Sequence, residues 1–164
     1  MLTRANGVAE ALAFLDELVA LHQASWTRRG WPGAFAAPGF LAFHQALIAV
    51  ALPRGEVDLL RIDAGTEVVG YLYNFRWRGH VLAYQSGFAY PENAEHRKPG
   101  LTCHQLAIES AMADGMLRYD FLAGGDRYKT SLATDTVQLH WLEAGPSWRP
   151  AALRAMLCGI LRRR

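Results

Sequence analysis

Cysteine is scarce: Cys103 and Cys158 are the only two in 164 residues. Two cannot build a disulfide framework. Neither lies in a C-x-x-C or Cys/His array of the kind that holds zinc, so both read as buried thiols of a reducing compartment. Charge of one sign is scarce as well. Seventeen Lys+Arg against fifteen Asp+Glu leave +2, and three of the cations are the terminal Arg162, Arg163 and Arg164. The body of the chain is close to neutral, which excludes a nucleic-acid-coating protein. No run approaches the roughly 18 apolar residues of a membrane span. Arg4, Glu10, Asp16 and Glu17 interrupt the N-terminal apolar residues, so the h-region of a signal peptide is missing too. A cytoplasmic protein is the expectation. His80, His96 and His140 do not group with carboxylates at metal-ligand spacing, and no metal is expected.

Apolar residues, by contrast, are abundant. At 51% hydrophobic and 20% charged the chain lies far from the composition of disordered segments. Its length favours one domain. Leu12, Leu15, Leu18 and Val19 recur at helical spacing over residues 8–21, and Phe40, Phe43, Leu47 and Ile48 repeat the pattern before Pro53 and Gly55. The period then becomes strand-like over 56–63, 67–76 and 80–88, with connections of a few residues, which predicts an antiparallel meander. A helix opening at Gly100 and an apolar run over 117–122 follow. Strand, helix and strand make a right-handed crossover with the two strands parallel. A strand over 137–142 and a closing helix over 150–161 complete the expected order. The fold class is α/β (α+β), a mixed sheet with helices on both faces.

The crossover has a physical weak point where the third strand ends. A helix N-terminus offers unpaired N–H groups and the positive end of its dipole, and anions bind there. At that point the chain reads His96-Arg97-Lys98-Pro99-Gly100-Leu101-Thr102. Two cations, a glycine and a hydroxyl converge, which suits a phosphate or pyrophosphate; a solvated basic loop is the plainer reading.

The order of elements resembles the GNAT acyltransferase fold. The stretch 21–142 is similar to its FemAB-like and cellulose-biosynthesis-associated acetyltransferase branch. The residues that carry this are Leu21-His22 with Trp26, Gly33-Ala34-Phe35, Phe43-His44, Gly70-Tyr71-Leu72-Tyr73-Asn74-Phe75, Tyr84-Gln85-Ser86-Gly87-Phe88, Pro99-Gly100, and Tyr119-Asp120-Phe121-Leu122 followed by Gly124 and Tyr128-Lys129. The resemblance implies that strand 80–88 splays from strand 117–122 and that Ser86, Gly87 and Phe88 offer main-chain groups to the pantetheine arm of an acyl-CoA. Arg97, Lys98, Gly100, Leu101 and Thr102 would hold the pyrophosphate. The family's loop runs Gln or Arg, two residues, Gly, one residue, Gly or Ala; here Arg97 and Gly100 match and Thr102 stands at the second small position. Members of this branch carry a further domain ahead of this one. A single domain over 1–164 therefore implies that the companion is absent or that two copies associate as a homodimer.

Acyl transfer to an amine needs a base, an oxyanion donor and an acid for the thiolate. His44 is a candidate base or a buried structural histidine, and His22 has the same two readings. Tyr84 and Gln85 stand on the splayed strand, where alternation predicts that they face opposite sides. Gln85 is the better contact for substrate. Asp120 in an apolar strand needs a partner, with Lys129 or Arg127 at hand. By resemblance, Tyr128 is the acid for the thiolate and Lys129 contacts a phosphorylated acceptor. His104 is either a donor to the anion site or solvent-facing, and Cys103 reads as a small buried hydrophobe. The chain as a whole reads as an acetyl-CoA- or acyl-CoA-dependent N-acyltransferase acting on a small-molecule amine, on a sugar or cell-envelope precursor. A non-catalytic module of the same fold that binds a ligand or partner is the alternative.

Overall fold

A computed structural model describes residues 1–90, 98–124 and 127–140. The chain forms two compact units, Met1–Thr134 and Asp135–Arg164. The first contains β1 (Leu2–Arg4), α1 (Val8–Arg28), α2 (Phe40–Ala51), β2 (Val57–Ala64), β3 (Glu67–Trp77), β4 (His80–Phe88), α3 (Pro99–Ala113), β5 (Arg118–Asp120) and α4 (Arg127–Leu132). In the second, residues 135–140 are exposed and irregular. No strand forms over 137–140, contrary to the sequence pattern, and the expected helix over 150–161 lies outside the described residues.

The five strands make one sheet in chain order, β1 to β5. The first three pairings are antiparallel and β4–β5 is parallel. The meander and crossover therefore form as the sequence predicts. Both sheet faces are covered, which is why β2 reads as an almost continuous apolar run. Its Val57 and Leu59 join Tyr71 and Tyr73 of β3 beneath Leu15, Leu18 of α1 and Ile48 of α2. Leu60, Ile62 and Leu72 point the other way, under Cys103 and Ala107 of α3. Cys103 is fully buried as the packing of that face requires, and desolvation pushes its thiol up to about 12.

Several bounds differ from the sequence reading for physical reasons. Helix α1 continues seven residues past Leu21 to Arg28, because Trp26 and Arg29 still pack at its end, with the guanidinium 4.9 Å over the indole. Strand β5 is only three residues long. It stops where Leu122 takes a left-handed backbone, φ 57°, a conformation that a branched residue rarely adopts. The Asp120 carboxylate accepts the Leu122 N–H at 2.7 Å and holds that turn.

Candidate active site

The distinctive local feature is a bulge in β4. Tyr73 is paired with Gln85 but Asn74 with Ala83, so Tyr84 is the extra residue. A direct cross-strand partner shares a face, which puts Gln85 on the side of Tyr73. Tyr84 is on that side too, with its ring 5.7 Å from Tyr73 and 4.9 Å from Phe75. The alternation expected from sequence fails here, and both side chains face α1 and α2; a Gln85 hydrogen bond reaches Tyr84.

The bulge also marks where the sheet opens. Pairing between β4 and β5 covers His80, Val81 and Leu82 alone. Beyond Leu82 the far edge of β4 has no strand partner among the described residues. Ala89 N–H bonds the Val69 carbonyl across the ladder at 3.0 Å. Stepping by two, the groups of Ser86 and Phe88 point to the open edge. The Ser86 carbonyl accepts the Nδ1 proton of His22 at 3.0 Å.

On the α1–α2 face three side chains form a line. His44, 2% exposed, has Nδ1 3.3 Å from the Tyr73 hydroxyl and Nε2 3.2 Å from the Tyr84 hydroxyl. Desolvation lowers the pKa of His44 and raises both tyrosines, Tyr73 most. All three are therefore neutral near pH 7, joined end to end by hydroxyls and an imidazole.

A second cluster lies on the opposite face. His104 on α3 is buried, with Nδ1 3.0 Å from the Tyr119 hydroxyl. The Tyr128 ring stacks flat on it, centroids 4.9 Å apart and planes 5° from parallel. Desolvation, aided by the Lys129 charge, lowers His104 to about 4. The solvent-facing alternative for this histidine is thus overturned. Its spacing of four from Gly100 and three from Ala107, both buried, was the signal in the sequence.

The remaining predicted residues fall at or near the open edge. Lys98, exposed, stands at the N-cap of α3 and makes no side-chain capping bond. Its carbonyl accepts Thr102 N–H at 3.2 Å and the Thr102 hydroxyl at 3.5 Å. Leu101 is half-buried, and Arg97 lies outside the described residues. Gly100 is buried, and a Cβ there would lie 3.1 Å from the Phe88 ring. Gly87 is tighter: a Cβ would meet the Leu18 carbonyl oxygen at 2.4 Å. Because backbone cannot swing aside, Gly87→Ala is expected to destabilise the domain by about 1–3 kcal/mol in urea denaturation, and Gly100→Ala by less. Equal midpoints for the two variants would contradict this packing. Asp120 holds the Leu122 turn, and Lys129 Nζ donates to the Ala123 carbonyl at 2.8 Å.

The family model described as Acetyltransferase (GNAT) domain matches residues 2–130. The chain belongs to this family. The GNAT domain is also similar in fold to a probable acetyltransferase, with a TM-score of 0.55, 14% identity, 89% of this chain and 97% of that one covered. It is similar as well to an aminoglycoside acetyltransferase from an uncultured soil metagenomic sample. In complex with sisomicin that structure gives a TM-score of 0.56 at 13% identity, covering 89% and 95%; in complex with trehalose it gives 0.54 at 13%, with the same coverage. A search of the curated proteins found no match. The chain is a GNAT-type N-acetyltransferase. Among the described residues no helix is long and apolar enough to cross a membrane, and no three His, Cys, Asp or Glu side chains group as metal ligands.

Proposed function

We propose that this GNAT domain transfers an acetyl group from acetyl-CoA to the amine of a hydroxylated small molecule, of the sugar or envelope-precursor kind, and that Tyr84 is the first proton acceptor. The observation that carries this reading is the Tyr73–His44–Tyr84 line ending at the bulge beside the open edge of β4. With the imidazole proton on Nδ1 facing Tyr73, the Nε2 lone pair faces the Tyr84 hydroxyl. As the amine nitrogen bonds to the thioester carbonyl carbon, its proton passes to the Tyr84 oxygen and the Tyr84 proton passes to His44 Nε2. The C–S bond then breaks, and the thiolate takes the Tyr128 hydroxyl proton. The edge groups of Ser86 and Phe88 suit the amides of a pantetheine arm, with Gly87 keeping α1 close. The uncapped start of α3 with Lys98, Gly100, Leu101, Thr102 and the preceding Arg97 suits its pyrophosphate. Gln85, on the Tyr84 face, is placed to touch the acceptor, and Lys129 an anionic group on it. Asp120 supports the Leu122 turn rather than the chemistry. The motif resemblance to the FemAB-like branch supports an envelope substrate, and two copies in a homodimer remain part of the reading.

Calorimetric titration of acetyl-CoA and CoA into the purified chain tests the binding half. Saturable binding is expected, weakened about tenfold by Lys98→Glu, since reversing one charge at a phosphate is worth of order 1.4 kcal/mol. Lys98 is the better probe than Gly100, whose replacement disturbs Phe88. Absence of binding at millimolar acetyl-CoA sinks the enzyme reading and favours a non-catalytic module.

A further inference from the structure

Two adjacent residues of α1 present buried acceptors that have no donor among the described residues. The Ser86 carbonyl can only accept, so the proton of His22 is on Nδ1 and its Nε2 carries a lone pair. Among the described residues that nitrogen has no partner, and its side chain is 7% exposed. The neighbouring Gln23 donates Nε2 to the Pro32 carbonyl at 2.7 Å, which leaves Oε1 as an acceptor; it too is buried, with no donor among the described residues. Buried acceptors of this kind are costly unless something donates to them.

The surroundings indicate the charge of that donor. Between Glu17 and Glu56 the sequence contains no Asp or Glu, so the second half of α1, the turn at Ala34–Ala36 and α2 carry no carboxylate. Arg29, stacked on Trp26, depresses the His22 pKa along with burial. A cationic donor would meet a positive field with no counter-ion from these elements, whereas a hydroxyl would not. Trp26 and Phe35 flank the imidazole with ring centroids 5.8 and 5.2 Å away, so its surroundings are otherwise apolar. Phe35 is half-buried.

We infer that His22 Nε2 and Gln23 Oε1 form a subsite for hydroxyl groups of a neutral, polyhydroxylated part of the acyl acceptor, which selects a monoamino sugar over a polycation. This rests on the acetyl-transfer reading and deepens it. His22 bonds the carbonyl of Ser86, which stands two residues along β4 from Tyr84.

The experiment compares glucosamine with cyclohexylamine, a six-membered ring amine without hydroxyls, as acceptors for acetyl-CoA. His22→Asn keeps a donor for the Ser86 carbonyl and removes Nε2. The wild type is expected to prefer glucosamine in kcat/KM, and the variant to lose roughly tenfold or more of that preference, chiefly in KM, with cyclohexylamine unchanged. In parallel, the full chain labelled with nitrogen-15 is titrated with glucosamine and with spermidine. The Nε2 resonance of His22 is expected to move with the sugar and not with the polyamine. Equal loss on both acceptors, an Nε2 resonance indifferent to glucosamine, or one moved only by spermidine overturns the subsite. If the chain binds no acetyl-CoA, the acetyl-transfer reading falls and the resonance titration still decides the subsite.

Discussion

Tyr84→Phe should lower kcat by about 10²–10³-fold, the scale of general acid–base catalysis by one group, and leave acetyl-CoA binding unchanged. The ring stays in contact with His44, Tyr73 and Phe75, so only the hydroxyl 3.2 Å from His44 Nε2 is lost. The melting temperature should fall only modestly, by the cost of leaving the buried His44 Nε2 without its donor, about 1–3 kcal/mol. His44→Gln should cause a similar loss. The double variant should be little worse than either single one, because groups that pass one proton along act as a unit. The pH profile supplies an independent sign. Burial lowers the His44 pKa, so the neutral form dominates throughout the physiological range and the acidic limb of kcat/KM falls below the ordinary histidine value of about 6.5. A limb above that value, or a Tyr84→Phe enzyme within a fewfold of the wild type, removes Tyr84 and His44 from the proton path.

The meander and the crossover were legible because periods of two and of three to four residues are local properties, and β3 and β4 run for eleven and nine residues. Strand β1 was not. Three residues, Leu2–Arg4, carry no period, and they become a strand only because the edge of β2 is there to pair with them. Position α4 was equally silent, since six residues are too few for a stripe. The site divides in the same way. His44 and Tyr84 stood out by residue type, but what joins them is the bulge, and a bulge is a mismatch between two strands that neither strand announces alone. That mismatch put Tyr84 and Gln85 on one face where alternation predicted two. His104 and Tyr119 come together across a crossover, and the stack of Tyr128 on His104 adds a third element. The orphaned Nε2 of His22 is more remote still from sequence, since it follows from which atom Ser86 presents.

The largest expected loss of stability comes from Asp58. This side chain, 6% exposed, lies 2.9 Å from Arg4 Nε and 3.5 Å from Arg76 Nη1, while Asp114 at the end of α3 meets the same two guanidiniums at 2.7 and 3.1 Å. Desolvation raises the Asp58 pKa despite its two cations, so the pairing offsets only part of the cost of burying this carboxylate. Asp58→Ala leaves two guanidiniums with one shared, partly exposed carboxylate and should cost about 3–5 kcal/mol, as breaking a buried pair does. For a domain whose total stability is of order 5–15 kcal/mol, that is a large fraction, readable as a fall of roughly 10 °C or more in melting temperature. Asp114 behaves oppositely with pH. Its bond from Arg4 lowers its folded pKa, so its contribution is present above the unfolded value of about 3.9 and is lost as pH falls below it. The two effects should be separable, because Asp114→Asn removes the acid-side loss while Asp58→Ala lowers stability across the neutral range. The consequence reaches the site through α3. The four charges pin its C-terminal end to β1, β2 and β3, and the same helix presents its N-terminus beyond the open edge of β4. Asp58→Ala is therefore expected to weaken CoA binding by several-fold below its melting temperature, at conditions where the fold is retained. If affinity is unchanged while stability falls, α3 is seated by Phe88 and Cys103 alone, and the charge network serves only the fold.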